Sequence, residues 1–192
     1  MGYWRHRERG AALVMALCIM LALMIVGVSA ARSALNAEKA ARAERDRHIA
    51  FQAAEAALGD AERDIEGGVN PERAKLFAAG SALGFMPGCG TAVNAGLCAR
   101  TEVPAWQSAQ LAEAGVEYGR FTGAAMATGQ GTQAAKLPRY IIEPMPFVRA
   151  GDDASGRAGN FYRITALGFG ARESTRVVLQ SFYLKAAGEE ES

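Results

Sequence analysis

The sequence predicts an α+β fold, in which one long N-terminal helix, transmembrane in its first half, packs against a small antiparallel β-sheet head. Three observations carry that expectation. Residues Ala11 to Ala31 form an uncharged run of twenty-one. Behind it, Arg32 to Glu66 contains no proline and a single glycine, Gly59. Strand signals gather only late, at Tyr140–Glu143, Asn160–Phe169 and Arg176–Leu184. A helix followed by strands, in a chain of 192 residues, describes one modest domain behind an anchor.

At about 1.5 Å per residue the uncharged run reaches roughly 31 Å as a helix, enough to cross a bilayer core. Arg5, Arg7 and Arg9 precede it against Glu8 alone, an excess that keeps the N-terminus cytoplasmic. Three readings of residues 1–31 stay open on the residues themselves. A secretory signal is cut at a small-x-small site, which Val28-Ser29-Ala30-Ala31 imitates, although the apolar run exceeds a usual signal core. A signal anchor stays uncut. A leader cut on the cytoplasmic side needs a residue without a side chain before the apolar run, and Gly10, ahead of Ala11, supplies it.

Alanine, glutamate, arginine and lysine dominate the next segment, all good helix formers. Glu38 with Arg42 and Asp60 with Arg63 are opposite charges at helical spacing, worth a few tenths of a kcal/mol each. Phe51, Ala54, Leu58, Ala61 and Ile65 follow steps of three and four, so the helix is expected to lay Phe51, Leu58 and Ile65 on the head. Residues 36–48 are polar nearly all round, which fits either a solvated connector or a stalk that meets neighbouring subunits. Gly67-Gly68 and Pro71 end the helix.

Composition narrows the chemistry. Lys+Arg is 21 and Asp+Glu is 20, so no basic surplus exists to hold nucleic acid. Cys18 lies in the apolar run. Cys89 and Cys98 form an even pair beyond a membrane segment, which suggests a disulfide in an oxidising compartment; two free thiols are the alternative. Bridging them would close about ten residues and add roughly 2–3 kcal/mol in the chain-entropy model. Zinc lacks ligands, because only His6 and His48 accompany these cysteines. The head has no histidine base, and Gly129-Gln130-Gly131 is not followed by the Gly-Lys-Ser/Thr of a phosphate loop. No catalytic, cofactor or metal residue is expected. Pro71–Ala79 reads as a short helix, Trp106 as a local packing anchor, Gly151–Gly156 as a solvated loop without calcium-loop spacing, and Gly188–Ser192 as a frayed acidic tail.

Arg9-Gly-Ala-Ala-Leu-Val14 and Arg45-Asp-Arg-His-Ile-Ala-Phe-Gln-Ala-Ala-Glu-Ala-Ala-Leu58 resemble the N-terminal region of PilX-type minor pilins of type IV pili, with Ala50–Ala57 the distinctive block. Phe161–Gly170 and Thr175–Ser181 are similar to the terminal strands of that family. The resemblance implies a prepilin leader over 1–10, a transmembrane helix over 11–31, its extension over 32–66, a pilin-like head over 67–187 and a tail over 188–192. Prepilin peptidase would cut between Gly10 and Ala11. The implied protein is a single-pass inner-membrane precursor, with its N-terminus cytoplasmic and its head periplasmic, that later joins the pilus at the cell surface. There it would help to initiate assembly, sit at the tip and support twitching motility and adhesion. Its implied partners are other minor pilins, the major pilin, the inner-membrane assembly platform and a PilY1-like tip adhesin.

A type II secretion pseudopilin shares the leader and helix, and an unprocessed inner-membrane-anchored binding domain needs no cut; both stand as alternatives. Two positions depart from the usual pilin pattern. Ala11 stands where phenylalanine is common, and Met15 stands where most pilins carry glutamate. A carboxylate there would meet a neighbouring subunit's N-terminal amine in an apolar core, and Met15 has no charge to offer. That favours a position with no subunit beyond it.

Overall fold

A computed structural model of the protein describes residues 8–78, 83–107, 111–129, 131–145 and 160–185. Residues 1–7 of the expected leader, the expected Gly151–Gly156 loop and the expected acidic tail lie outside the described residues. The chain divides into a unit ending at Glu44 and a compact unit from Arg45 onward.

Helix α1 runs from Glu8 to Ile65. From Ala11 to Glu44 its side chains are exposed on every side, and Leu17, Leu21, Met24 and Val28 are each more than half exposed. A helix that is apolar all round, with no protein about it, is suited to hydrocarbon. The stretch is long and apolar enough to cross a membrane. Farther on, Glu38 and Arg42 make an exposed ion pair at 2.5 Å.

In the second unit the end of α1 lies on four antiparallel strands. These are β1 (Val116–Glu117), β2 (Arg139–Met145), β3 (Asn160–Phe169) and β4 (Arg176–Lys185), ordered β1-β2-β3-β4. Strands β3 and β4 pair without a bulge from Asn160↔Lys185 to Phe169↔Arg176. Their alternating β-branched and aromatic residues give this hairpin its pleated, half-buried surface. Strand β1, two residues long, is too short to show a period. Pro144, of a residue type that rarely sits within a sheet, lies inside β2 opposite Tyr162. Ile142 turns its N–H and C=O to the outer edge of β2, bonding Gly96 and Cys98. By alternation Pro144 faces that same edge, so its missing N–H takes nothing from the β3 ladder.

The centre of the sheet is covered on both faces. On one, Tyr140, Ile142, Tyr162, Ile164 and Ala166 meet Ala54, Ala57, Ala61 and Ile65 of α1, with Phe77 and Phe121 at the end. On the other, Ile141, Leu167 and Phe169 are roofed by Cys89, Cys98, Ala105 and Leu111, with Trp106 packed at the margin. The roof comes from the middle of the chain, through short turns at Ala92–Asn94 and Ala105–Gln107 and helix α3 (Leu111–Ala114). Helix α2 is Pro71–Lys75, shorter than the expected Pro71–Ala79; Asn70 caps it by accepting the N–H groups of Glu72 and Arg73.

The buried line of α1 corrects the expected stripe. Ala50, Ala53, Ala54, Ala57, Ala61 and Ile65 are buried, Leu58 is half-buried beside them, and Phe51 is 40% exposed. The cause is backbone proximity. A Cβ added at Gly168 of β3 would overlap the Ala50 carbonyl oxygen and sit 2.5 Å from the Ala54 nitrogen. Only alanines leave room for so close a crossing, so the large Phe51 is turned outward.

Candidate functional site

The chemistry of this head is concentrated where α1 enters it. Three aspartates of α1, Asp46, Asp60 and Asp64, are buried, and each holds a different part of the head. A buried carboxylate is costly unless its lone pairs are filled, so each marks a specific attachment.

Asp46 grips the loop between β3 and β4. It accepts the Arg172 amide at 3.2 Å, the Arg172 Nε–H at 2.9 Å and the Thr175 hydroxyl. Gly170 makes this approach possible, since a Cβ there would overlap Asp46 Oδ1. Burial pushes the Asp46 carboxyl up, but the hydrogen bonds from Thr175, Arg172 and Ala171 outweigh it and hold the group down at about 2. Asp60 accepts the Gly119 amide at 2.7 Å and the Thr122 hydroxyl, which ties down the turn after β1, and it pairs with Arg63 at 3.2 Å.

Asp64 sits deepest. Arg73, itself 1% exposed, meets it through Nε at 3.1 Å and Nη2 at 2.8 Å, and the Tyr140 hydroxyl donates to it at 2.9 Å. Arg73 also donates Nη1–H to the Val93 carbonyl at 2.7 Å and lies 4.2 Å over the Phe121 ring. One guanidinium therefore joins α1, α2, the 92–94 turn and the loop after β1. Burial, then the Asp64 charge, raises the Tyr140 phenol, so it stays a neutral donor. At the end of α1, Lys185 donates to the Ile65 carbonyl at 2.6 Å, where the helix leaves acceptors open. The Tyr183 hydroxyl donates to Glu66 at 2.7 Å, a bond that with burial pushes its phenol up to about 12.

On the opposite face of the sheet, Cys89 and Cys98 are joined by a disulfide and almost fully buried. The bridge closes a loop whose last residues extend the outer edge of β2. Gly96 accepts the Ile142 amide at 2.8 Å, and the Cys98 amide donates to the Ile142 carbonyl at 2.9 Å. Gly96 has φ +73, and a Cβ there would overlap Val116 of β1, so a side chain is excluded twice over. Below the roof, Glu143 and Arg163 form a two-bond ion pair at 2.9 and 3.0 Å.

The expected site residues fall into three groups. Ile65 is buried, Leu58 is half-buried against the core, and Phe51 faces out. Cys89 and Cys98 meet. Gly10 and Ala11 lie within α1, and the Ala11 side chain is exposed. Sequence reasoning missed the aspartates, yet a signal was there. After Arg32 every glutamate of α1 is exposed or half-buried, whereas all three aspartates are buried. Aspartate is the poorer helix former, so its repeated use in this helix points to a tertiary role.

A long N-terminal helix, apolar at first and then fastened by buried carboxylates to a four-stranded antiparallel sheet, defines a pilin-like α+β subunit. The family model described as PilX N-terminal matches residues 9–58, and the one described as Type IV pilus assembly protein PilX C-term matches residues 77–185. The chain belongs to the PilX family of type IV pilus assembly proteins, whose members are generally structural rather than enzymatic. Comparisons with curated proteins and with solved structures returned no match.

Proposed function

We propose that this chain is a minor pilin that helps to start type IV pilus assembly and stays at the tip. It is made as an inner-membrane precursor with leader 1–10, cut between Gly10 and Ala11, and inserted through residues 11–31. The observation that carries this reading is the surface of α1 from Ala11 to Val28, where every side chain is exposed and none is charged. Such a surface exchanges lipid for the apolar flanks of neighbouring helices without uncovering a polar group, so the transfer from membrane to filament costs little. Met15, 70% exposed on that surface, offers no carboxylate to a subunit above it, which supports a terminal position.

The head, 67–187, then supplies lateral contacts, and the aspartate attachments carry force between head and helix. The partners of this reading are other minor pilins, the major pilin, prepilin peptidase, the inner-membrane assembly platform and a tip adhesin; adhesion and twitching are its downstream consequences. N-terminal sequencing of the mature protein tests it. Ala11 as the first residue is expected, whereas an intact leader or a start near Ala31 overturns the proposal.

A further inference from the structure

The membrane-length part of α1 is not the same all round its axis. Leu21, Met24, Ile25 and Val28 line a groove of about 460 Å³ that ends at Ser29 and Arg32. At about 3.6 residues per turn these positions share one flank of the helix, and Lys39, seven residues beyond Arg32, lies on the same flank. The opposite flank runs from Val26 through Ala30, Ser33, Ala37 and Ala41 and meets no cation. Positive charge therefore follows the groove and leaves the other side of the helix bare.

Arg32 is the first charge after the uncharged run, so it stands where the span leaves hydrocarbon. Side chains on a helix tilt towards its N-terminus, and both Arg32 and Lys39 lean back over the groove. An arginine so placed lays its apolar stem along the chain and keeps its guanidinium at the headgroup level. Among the described residues neither cation has an acidic partner, whereas Arg42 is paired with Glu38. The Ser29 hydroxyl makes no hydrogen bond among them either, and it opens on the same groove.

The occupant that matches this order of groups is apolar along its length and negative at one end, with the negative end at the membrane surface. A guanidinium fork suits a phosphate, whose oxygens take two parallel N–H bonds. A second copy of this chain in the same orientation does not fit, because it brings its own Arg32 to the same level and sets like charges together. A lipid without net charge carries its own amine beside the phosphate, and so gains less from two unpaired cations.

We propose that the Leu21–Arg32 groove is a binding site for an anionic phospholipid of the leaflet in which the span ends. One acyl chain lies along Leu21, Ile25 and Val28, and the phosphate meets Ser29 and Arg32 with Lys39 above it. The site gives the span a preferred flank towards charged lipid, which the subunit must give up when it leaves the membrane. The proposal deepens the assembly reading above and rests on the span over 11–31 alone, not on the cut at Gly10 or on a tip position.

The test places the full-length chain in vesicles of phosphatidylglycerol and phosphatidylethanolamine in equal amounts, with a photoreactive benzophenone amino acid in place of Val28 or of Val26. Mass spectrometry of the adducts identifies what each position captures. At Val28 phosphatidylglycerol is expected to exceed phosphatidylethanolamine about five-fold, the effect of one cation near a charged surface, while Val26 captures the two about equally. Arg32→Gln with Lys39→Gln, both at exposed positions, is expected to bring the Val28 ratio down to that of Val26, and Arg32→Lys to keep the preference. Equal capture of the two lipids at Val28, the same preference at Val26, a preference that survives the double change, or an adduct at Val28 to a second copy of the chain each overturns the proposal. Capture of no lipid at either position would remove the span itself, and with it the assembly reading as well as this site.

Discussion

The backbone of β3 at Gly168 crosses α1 at Ala50 so closely that a single added carbon on Gly168 would overlap the Ala50 carbonyl oxygen. This contact sets how the helix meets the head, and it explains why the inward face of α1 is nearly all alanine. Gly168→Ala is expected to destabilise the head by about 1–3 kcal/mol, as overpacking of a tight core does. Phe51→Ala, at an exposed position, should stay within about 1 kcal/mol of the parent. Urea unfolding of the full chain in detergent, followed by circular dichroism, compares the two. Equal losses would refute the close-crossing account.

Arg73 is the residue whose loss should hurt most. Arg73→Ala leaves Asp64 buried with Tyr140 as its remaining side-chain donor, and removal of one partner of a buried pair costs about 3–5 kcal/mol. Replacing both partners, as in Asp64→Leu with Arg73→Met, should cost less than the two single changes added together. A double-mutant cycle measures this, and simple additivity would show that the pair is not coupled.

Asp46 predicts a window of acid sensitivity. Its folded pKa of about 2 lies below the unperturbed value of 3.8, so the unfolded chain takes up the proton first. The group's stabilisation is therefore complete above about pH 4 and fades as pH falls towards about 2. The stability gap between the parent and Asp46→Asn should be largest near neutrality and shrink across that window. A gap independent of pH would show that the Asp46 charge is not what holds the 170–175 loop.

Removing the disulfide by Cys89→Ser with Cys98→Ser should cost roughly 2–3 kcal/mol. Because Gly96 and Cys98 bond Ile142, the loss should speed amide exchange at Cys98 and Ile142 before it reaches β3. Uniform loss of protection would mean that the loop is not a separate unit.

Gly10→Phe is expected to leave an unprocessed precursor and few surface pili, because the cut needs a residue without a side chain. Immunoblotting for precursor mass, with electron microscopy of the cell surface, reads both effects. Normal processing and piliation would remove Gly10 from the proposed cleavage site.

Much of the fold was legible in the chain. Helix α1, the β3–β4 hairpin and the cysteine pair all follow from local pattern, since uncharged length, two-residue alternation and paired thiols are properties of neighbouring residues. The two-residue β1, the roof built from residues 89–114 and the position of Pro144 were not legible. Each depends on which edge or face of the sheet a segment meets, and no periodicity records that.

The sequence by itself determined that a greasy helix leads into a small sheet, and it suggested that the two head cysteines pair, because helix propensity, hydropathy and strand alternation are read residue by residue. Only the tertiary structure decided which side of α1 faces inward. Gly168 brings its strand against Ala50 while Phe51 stays at the surface, and Asp46, Asp60 and Asp64 find their partners elsewhere in the head, because contact between segments that are not neighbours in the chain leaves no mark on local pattern.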